Sequence, residues 1–158
     1  LTTPNSSPVA ALGRWGVVFV SDTTDEFILS ASTDAPFTSN FTEYRPINAG
    51  DYGPTTEVFA KQLGQTMSMT KIQAFASLAP GASQSVVLTF RDAGSTALTC
   101  TITDPATTCS GTGSVAVAND DDITTQSVTS ASASSIMKSI VSYVGLVTTT
   151  PRRIIITE

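Results

Sequence analysis

The stretch "SVVLTFRDAGSTALTCTIT", residues 85–103, constrains the fold more than any other part of the chain. Val86, Leu88 and Phe90 share one parity with Val87 and Thr89 on the other, and after "DAGS" Leu98, Cys100 and Ile102 alternate with Thr99, Thr101 and Thr103. Side chains two apart share a face in a strand but lie on opposite sides of a helix. The stretch therefore predicts two strands joined by a tight turn, each with an apolar face to bury.

The rest of the chain follows the same grammar. In "TMSMTKIQAFASL", residues 66–78, Ile72, Ala74, Ala76 and Leu78 share one parity while Met67 and Met69 hold the other, which predicts a bulge near Thr70-Lys71. "LGRWGVVFV" (12–20), "FILSA", "SVAVA", "DITTQSV", "SIMKSIVSYVGLV" and "RRIIITE" read as further strands, with "FILSA" pairing back on residues 12–20. Residues 36–54 read as loop, holding the aromatics Phe37, Phe41, Tyr44 and Tyr52. Ser and Thr make up 46 of the 158 residues and charged residues only 13%, a background that favours pleated surfaces over helices. The expectation is an all-β chain of about 8–10 strands. An antiparallel β-sandwich of jelly-roll type fits it best, because that arrangement limits exposed edges. Residues 1–10, "LTTPNSSPVA", form an extended N-terminal arm, and residues 11–158 a single domain.

The only two cysteines lie in "ALTCTITDPATTCSG". A hairpin centred on Asp104-Pro105 sets Cys100 opposite Cys109 as a non-hydrogen-bonded pair within disulfide reach. Proline suits the first central turn position better than the second, which can shift that register. Two unbridged thiols are the other reading. A zinc site lacks ligands in a chain without histidine, and no Cys-x-x-Cys is present for redox chemistry. A disulfide implies an oxidising compartment, or formation after release from the cell.

The run "LAPGASQSVVLTFRDAGSTALTCTITDPATTCSGTGSVAVANDDDIT", residues 78–124, resembles the pattern of an uncharacterised family of bacterial and phage jelly-roll surface proteins. That pattern has a Pro-Gly turn, a "TFR" strand, an "LTCTI" strand, "TTCS" and a "SVxV" strand. This chain departs from it with Ala93-Gly94 where the pattern has Asn-Gly, and Asn119-Asp120 where it has Gly-Asp. The resemblance implies a structural or binding role on a virion or cell surface, and related sandwich modules often assemble as trimers.

The chemistry that the chain excludes is as informative. With no histidine, Ser-His-Asp and Cys-His catalysis and histidine-ligated metals are ruled out. Asp22, Asp25, Glu26, Glu43, Asp51 and Glu57 are the acids available for glycoside chemistry, and no pair among them stands out, so the expectation is not an enzyme. The net charge of −5, with eight basic residues scattered along the chain, argues against nucleic-acid binding. No run is apolar enough for membrane insertion by a helix. The chain opens on Leu1 rather than Met, which reads as a processed N-terminus or a fragment.

Several residues remain as candidates. Asp120, Asp121 and Asp122 in "NDDDIT" can each give oxygen to calcium, or serve only as turn residues. Trp15, Tyr44 and Tyr52 can stack on sugar rings or pack as core and rim. Asn5 and Asn40 fit the N-glycosylation pattern. Leu1, Thr2, Thr3 and Pro4 of the arm, with Ile154, Ile155 and Ile156 near the end, are expected to tie neighbouring subunits together. The primary expectation is a non-enzymatic structural protein of a virion surface, a capsid decoration, head or tail component, that self-assembles or docks onto a lattice. Its alternative is a secreted or cell-surface carbohydrate-binding module, calcium-assisted or not.

Overall fold

The computed structural model describes residues 20, 24–32, 36–47, 53–133 and 139–147. Among them are nine strands: β1 (Glu26–Ser32), β2 (Thr42–Arg45), β3 (Gln62–Leu63), β4 (Met67–Ala76), β5 (Ser85–Asp92), β6 (Ser95–Thr103), β7 (Thr108–Val117), β8 (Asp122–Thr129) and β9 (Ser139–Val147). They form two antiparallel sheets, β1-β9-β4-β7 and β2-β8-β5-β6, with the short β3 added beside β8.

The order of pairing gives the architecture. Setting β3 aside, β5 pairs with β6, β4 with β7, β2 with β8 and β1 with β9. These pairs nest inside one another like a single long hairpin, and alternate nested pairs fall in opposite sheets. That is the winding of a jelly roll, the sandwich type expected as the one that limits exposed edges.

The inward faces are the ones that the period-two pattern selects. Val86, Leu88, Phe90, Leu98, Cys100 and Ile102 from one sheet meet Ile72, Ala74, Val141 and Tyr143 from the other. Each large apolar side chain so buried contributes roughly 1.5–3 kcal/mol. The Tyr143 ring meets Phe90 edge-on at 5.3 Å, and its buried hydroxyl shares a 2.7 Å hydrogen bond with Thr125 across the sandwich. Burial pushes the Tyr143 phenol well above its ordinary pKa, so it stays neutral. The bulge expected near Thr70-Lys71 appears as a register shift between Met69 and Lys71, and it lets Met67, Met69, Ile72 and Ala74 all face inward.

Three expectations need correction. Leu78 lies past the end of β4 and is exposed rather than continuing its inward face. Residues 36–54 are not all loop, because Thr42–Arg45 form β2. Glu43 and Arg45, two apart, both point into the interior. They pair there at 2.6 Å with side-chain exposures of only 2% and 3%. The Arg45 guanidinium also donates to Ser127 at 2.8 Å and lies 5.0 Å from the Phe37 ring centre. A buried ion pair on an alternating strand has the same polar pattern as a solvent-facing loop, which is why the sequence hides it.

The third correction concerns the cysteines. Cys100 and Cys109 are bonded, with Cα atoms 5.6 Å apart, but they are not a cross-strand pair of one hairpin. Residues 104–107 carry the chain from β6 in one sheet to β7 in the other, so the bridge joins the two sheets. The strands run close enough there that a Cβ on Gly111 would lie 2.1 Å from the Thr99 carbonyl oxygen. Only glycine fits at that approach.

"FILSA" forms the body of β1 and pairs with β9. Of its expected partner, residues 12–20, all but Val20 lie outside the described residues, as do the arm 1–10 and the strand "RRIIITE".

Candidate assembly surface

Residues 53–64, of which the sequence singles out only Glu57 as an available acid, lie against the β2-β8-β5-β6 sheet. Pro54 accepts a backbone hydrogen bond from Tyr44 at 2.9 Å. A short 3-10 turn, Glu57–Phe59, follows, and then β3, which pairs with the start of β8. Gly64 closes the segment with reciprocal backbone bonds to the Asn119–Asp121 turn: Gly64 N to Asp121 O at 2.7 Å and Asp120 N to Gly64 O at 3.0 Å.

Side chains lock this segment down. Glu57 Oε1 accepts from Arg91 Nε at 2.8 Å and from Thr124 Oγ1 at 2.9 Å, and Oε2 accepts from Arg91 Nη2 at 3.2 Å. This forked grip is the stronger kind of ion pair. Arg91 also donates to the Gly94 carbonyl, and its guanidinium lies 5.8 Å from the centre of the Tyr44 ring. The hydrogen bond from Arg91 holds the Glu57 carboxyl below its ordinary pKa against the opposing pull of burial, with Thr124 adding to the effect. A second pair, Lys61 with Asp122 at 2.8 Å, ties β3 to β8.

What this braced segment presents outward is apolar. Val58, Phe59 and Leu63 are 60%, 77% and 71% exposed within a span of six residues. Single exposed apolar residues need no explanation, but three large ones within six positions on a braced segment make it the candidate contact surface. The only sequence signal is "EVFAKQL", an apolar trio without strand alternation between two glycines, Gly53 and Gly64.

The candidates named from the sequence fall elsewhere or into other contacts. Tyr44 is half-buried, accepts a 3.0 Å hydrogen bond from Gln126 Nε2 and faces Arg91. The three aspartates diverge. Asp121 Oδ2 accepts from the Ala118 amide at 2.9 Å, Asp120 Oδ2 from the Asn119 side chain at 2.7 Å, and Asp122 is held by Lys61. Among the described residues no group of three or more acidic or cysteine side chains converges on a metal position. Trp15, Tyr52, Leu1, Thr2, Thr3, Pro4, Ile154, Ile155 and Ile156 lie outside the described residues, as does Asn5. Among the described residues no helix is long and apolar enough to cross a membrane.

No protein-family model and no curated protein matches the chain. Among solved structures it is similar to a chain of the acid-stable capsid of the Helicobacter pylori bacteriophage KHP30, with 7% identity and a TM-score of 0.47. That match covers 78% of this chain and 88% of the phage chain.

Proposed function

We propose that this chain is a non-enzymatic structural subunit that works by self-association, with Val58, Phe59 and Leu63 as its contact surface. The observation that carries the reading is their exposure on a segment pinned by two ion pairs and a strand pairing. A flexible segment would fold such side chains away, and a pinned one holds them ready for a partner. The resemblance at residues 78–124 implies a virion or cell surface as the setting, of which the reading takes the virion, and related sandwich modules often assemble as trimers. The Cys100–Cys109 bond fits a location outside a reducing cytosol. Jelly-roll domains build capsids and lectins alike, so the winding by itself does not choose between them.

The test is light scattering on a sizing column across a concentration series. The wild-type chain is expected at a multiple of 16.4 kDa, and a Val58→Ser, Phe59→Ser, Leu63→Ser variant at the single-chain mass. A wild-type monomer at every concentration, or a triple variant that assembles as before, overturns the proposal.

A further inference from the structure

The outer face of the β1-β9-β4-β7 sheet carries a shallow depression of about 730 Å³ lined by Ile28, Gln73, Phe75, Thr108, Ser110 and Ser142, among others. The strand register sets these residues in order. Ser142 on β9, Gln73 on β4 and Ser110 on β7 are successive cross-strand partners, so they form one row across three strands. With strands about 4.8 Å apart, hydrogen-bonding groups recur along that row at a short, regular interval. Phe75 stands in the next row, opposite Thr108, and is 54% exposed. Cys109, between Thr108 and Ser110, is bonded to Cys100, which fixes this stretch of β7 in place.

The chemistry of the lining is specific. It offers an amide, several hydroxyls and an aromatic face, and none of its described side chains is charged. The charge nearest by register is Lys71, one row beyond Gln73 and outside the lining. Protein interface cores are enriched in Phe, Tyr, Trp and Arg and depleted in Ser, so Phe75 suits such a core while the Ser hydroxyls around it do not. A neutral sugar matches both the ring and the hydroxyls. The C–H face of a pyranose meets the negative face of an aromatic ring, and its hydroxyls both donate and accept, as Gln, Ser and Thr do.

We infer that this depression binds a neutral oligosaccharide, with Phe75 stacking on one ring and the Ser142–Gln73–Ser110 row hydrogen-bonding its hydroxyls and those of the adjoining ring. The inference is independent of the assembly reading, since residues 53–64 lie on the other sheet.

The test is an NMR titration of the full chain with cellotetraose, maltotetraose and tetra-N-acetylchitotetraose to millimolar concentration. Saturable shifts centred on the Gln73, Ser110 and Ser142 amides are expected with at least one of them. Phe75→Ala is expected to weaken that binding at least about tenfold, as truncating a central aromatic anchor does, and replacing Phe41, an exposed aromatic just before β2 in the other sheet, by Ala to leave it unchanged. Phe75 is exposed, so its replacement should leave the remaining spectrum intact, and Gln73→Ala serves as the second variant if it does not. The inference is overturned by the absence of saturable shifts with all three sugars. Shifts centred elsewhere, or binding that survives the variants undiminished, also overturn it.

Discussion

At the scale of single residues, the unusual expenditure is the Glu43–Arg45 pair, since two charges taken out of water are tolerated only because each answers the other. Replacing Glu43 by Gln leaves the guanidinium buried without its counter-charge. Urea denaturation should show a loss of about 3–5 kcal/mol for Glu43→Gln, and the double variant Glu43→Leu with Arg45→Met should recover most of it. Ala93 is a milder case. It holds φ +47° beside Gly94 at +76° in the β5–β6 turn, a conformation that suits Asn and Gly and strains Ala. Ala93→Asn should stabilise the protein by roughly 0.5–1 kcal/mol in the same assay. The turn could be placed from "DAGS", whereas the buried pair could not be found at all. A turn is written in consecutive residues, but the inward aim of Glu43 and Arg45 is decided by β8, more than eighty residues away, supplying Ser127.

At the scale of elements, the division is between what a strand encodes about itself and what it encodes about its neighbours. The alternation in β4, β5 and β6 was readable, down to the bulge beside Thr70, because in these strands the apolar side chains themselves mark the inward face. Which sheet β7 would join was not. "TTCSGTG" has the same polar and apolar sequence whether it closes a hairpin on β6 or crosses to pair with β4, and the close approach at Gly111 exists only in the second case. The braced segment 53–64 adds a dependence on acidity. Because Glu57 titrates lower in the folded chain than in the unfolded one, its hold on Arg91 is complete above the ordinary carboxylate range and is lost as pH falls through its depressed folded value. The protection of the Phe59 and Ala60 amides against hydrogen exchange, taken relative to the intrinsic rate at each pH, should therefore fall on acidification before that of the core amides of β5. Glu57→Gln should bring that loss of protection to neutral pH.

At the scale of the whole molecule, association and stability are linked. A partner that covers Val58, Phe59 and Leu63 binds the folded chain and not the unfolded one, so the melting temperature should rise with protein concentration. The Val58→Ser, Phe59→Ser, Leu63→Ser variant should melt at one temperature whatever its concentration, as differential scanning fluorimetry over a hundredfold range would show. A flat melting temperature for the wild-type chain would count against association through this surface.

The bridge between Cys100 and Cys109 has a mechanical side. It binds the two sheets along the margin where β6 and β7 meet, in the way that a spine binds the boards of a book. Among the described strands β1 and β2 lie at the far margins, where the sheets are joined by no disulfide but by the chain that runs from Ser32 to Thr42. Under load, the two leaves of this sandwich would therefore part from the β1 and β2 side while the stitched margin held. A subunit pulled on by its neighbours would yield first at the margin that holds no disulfide.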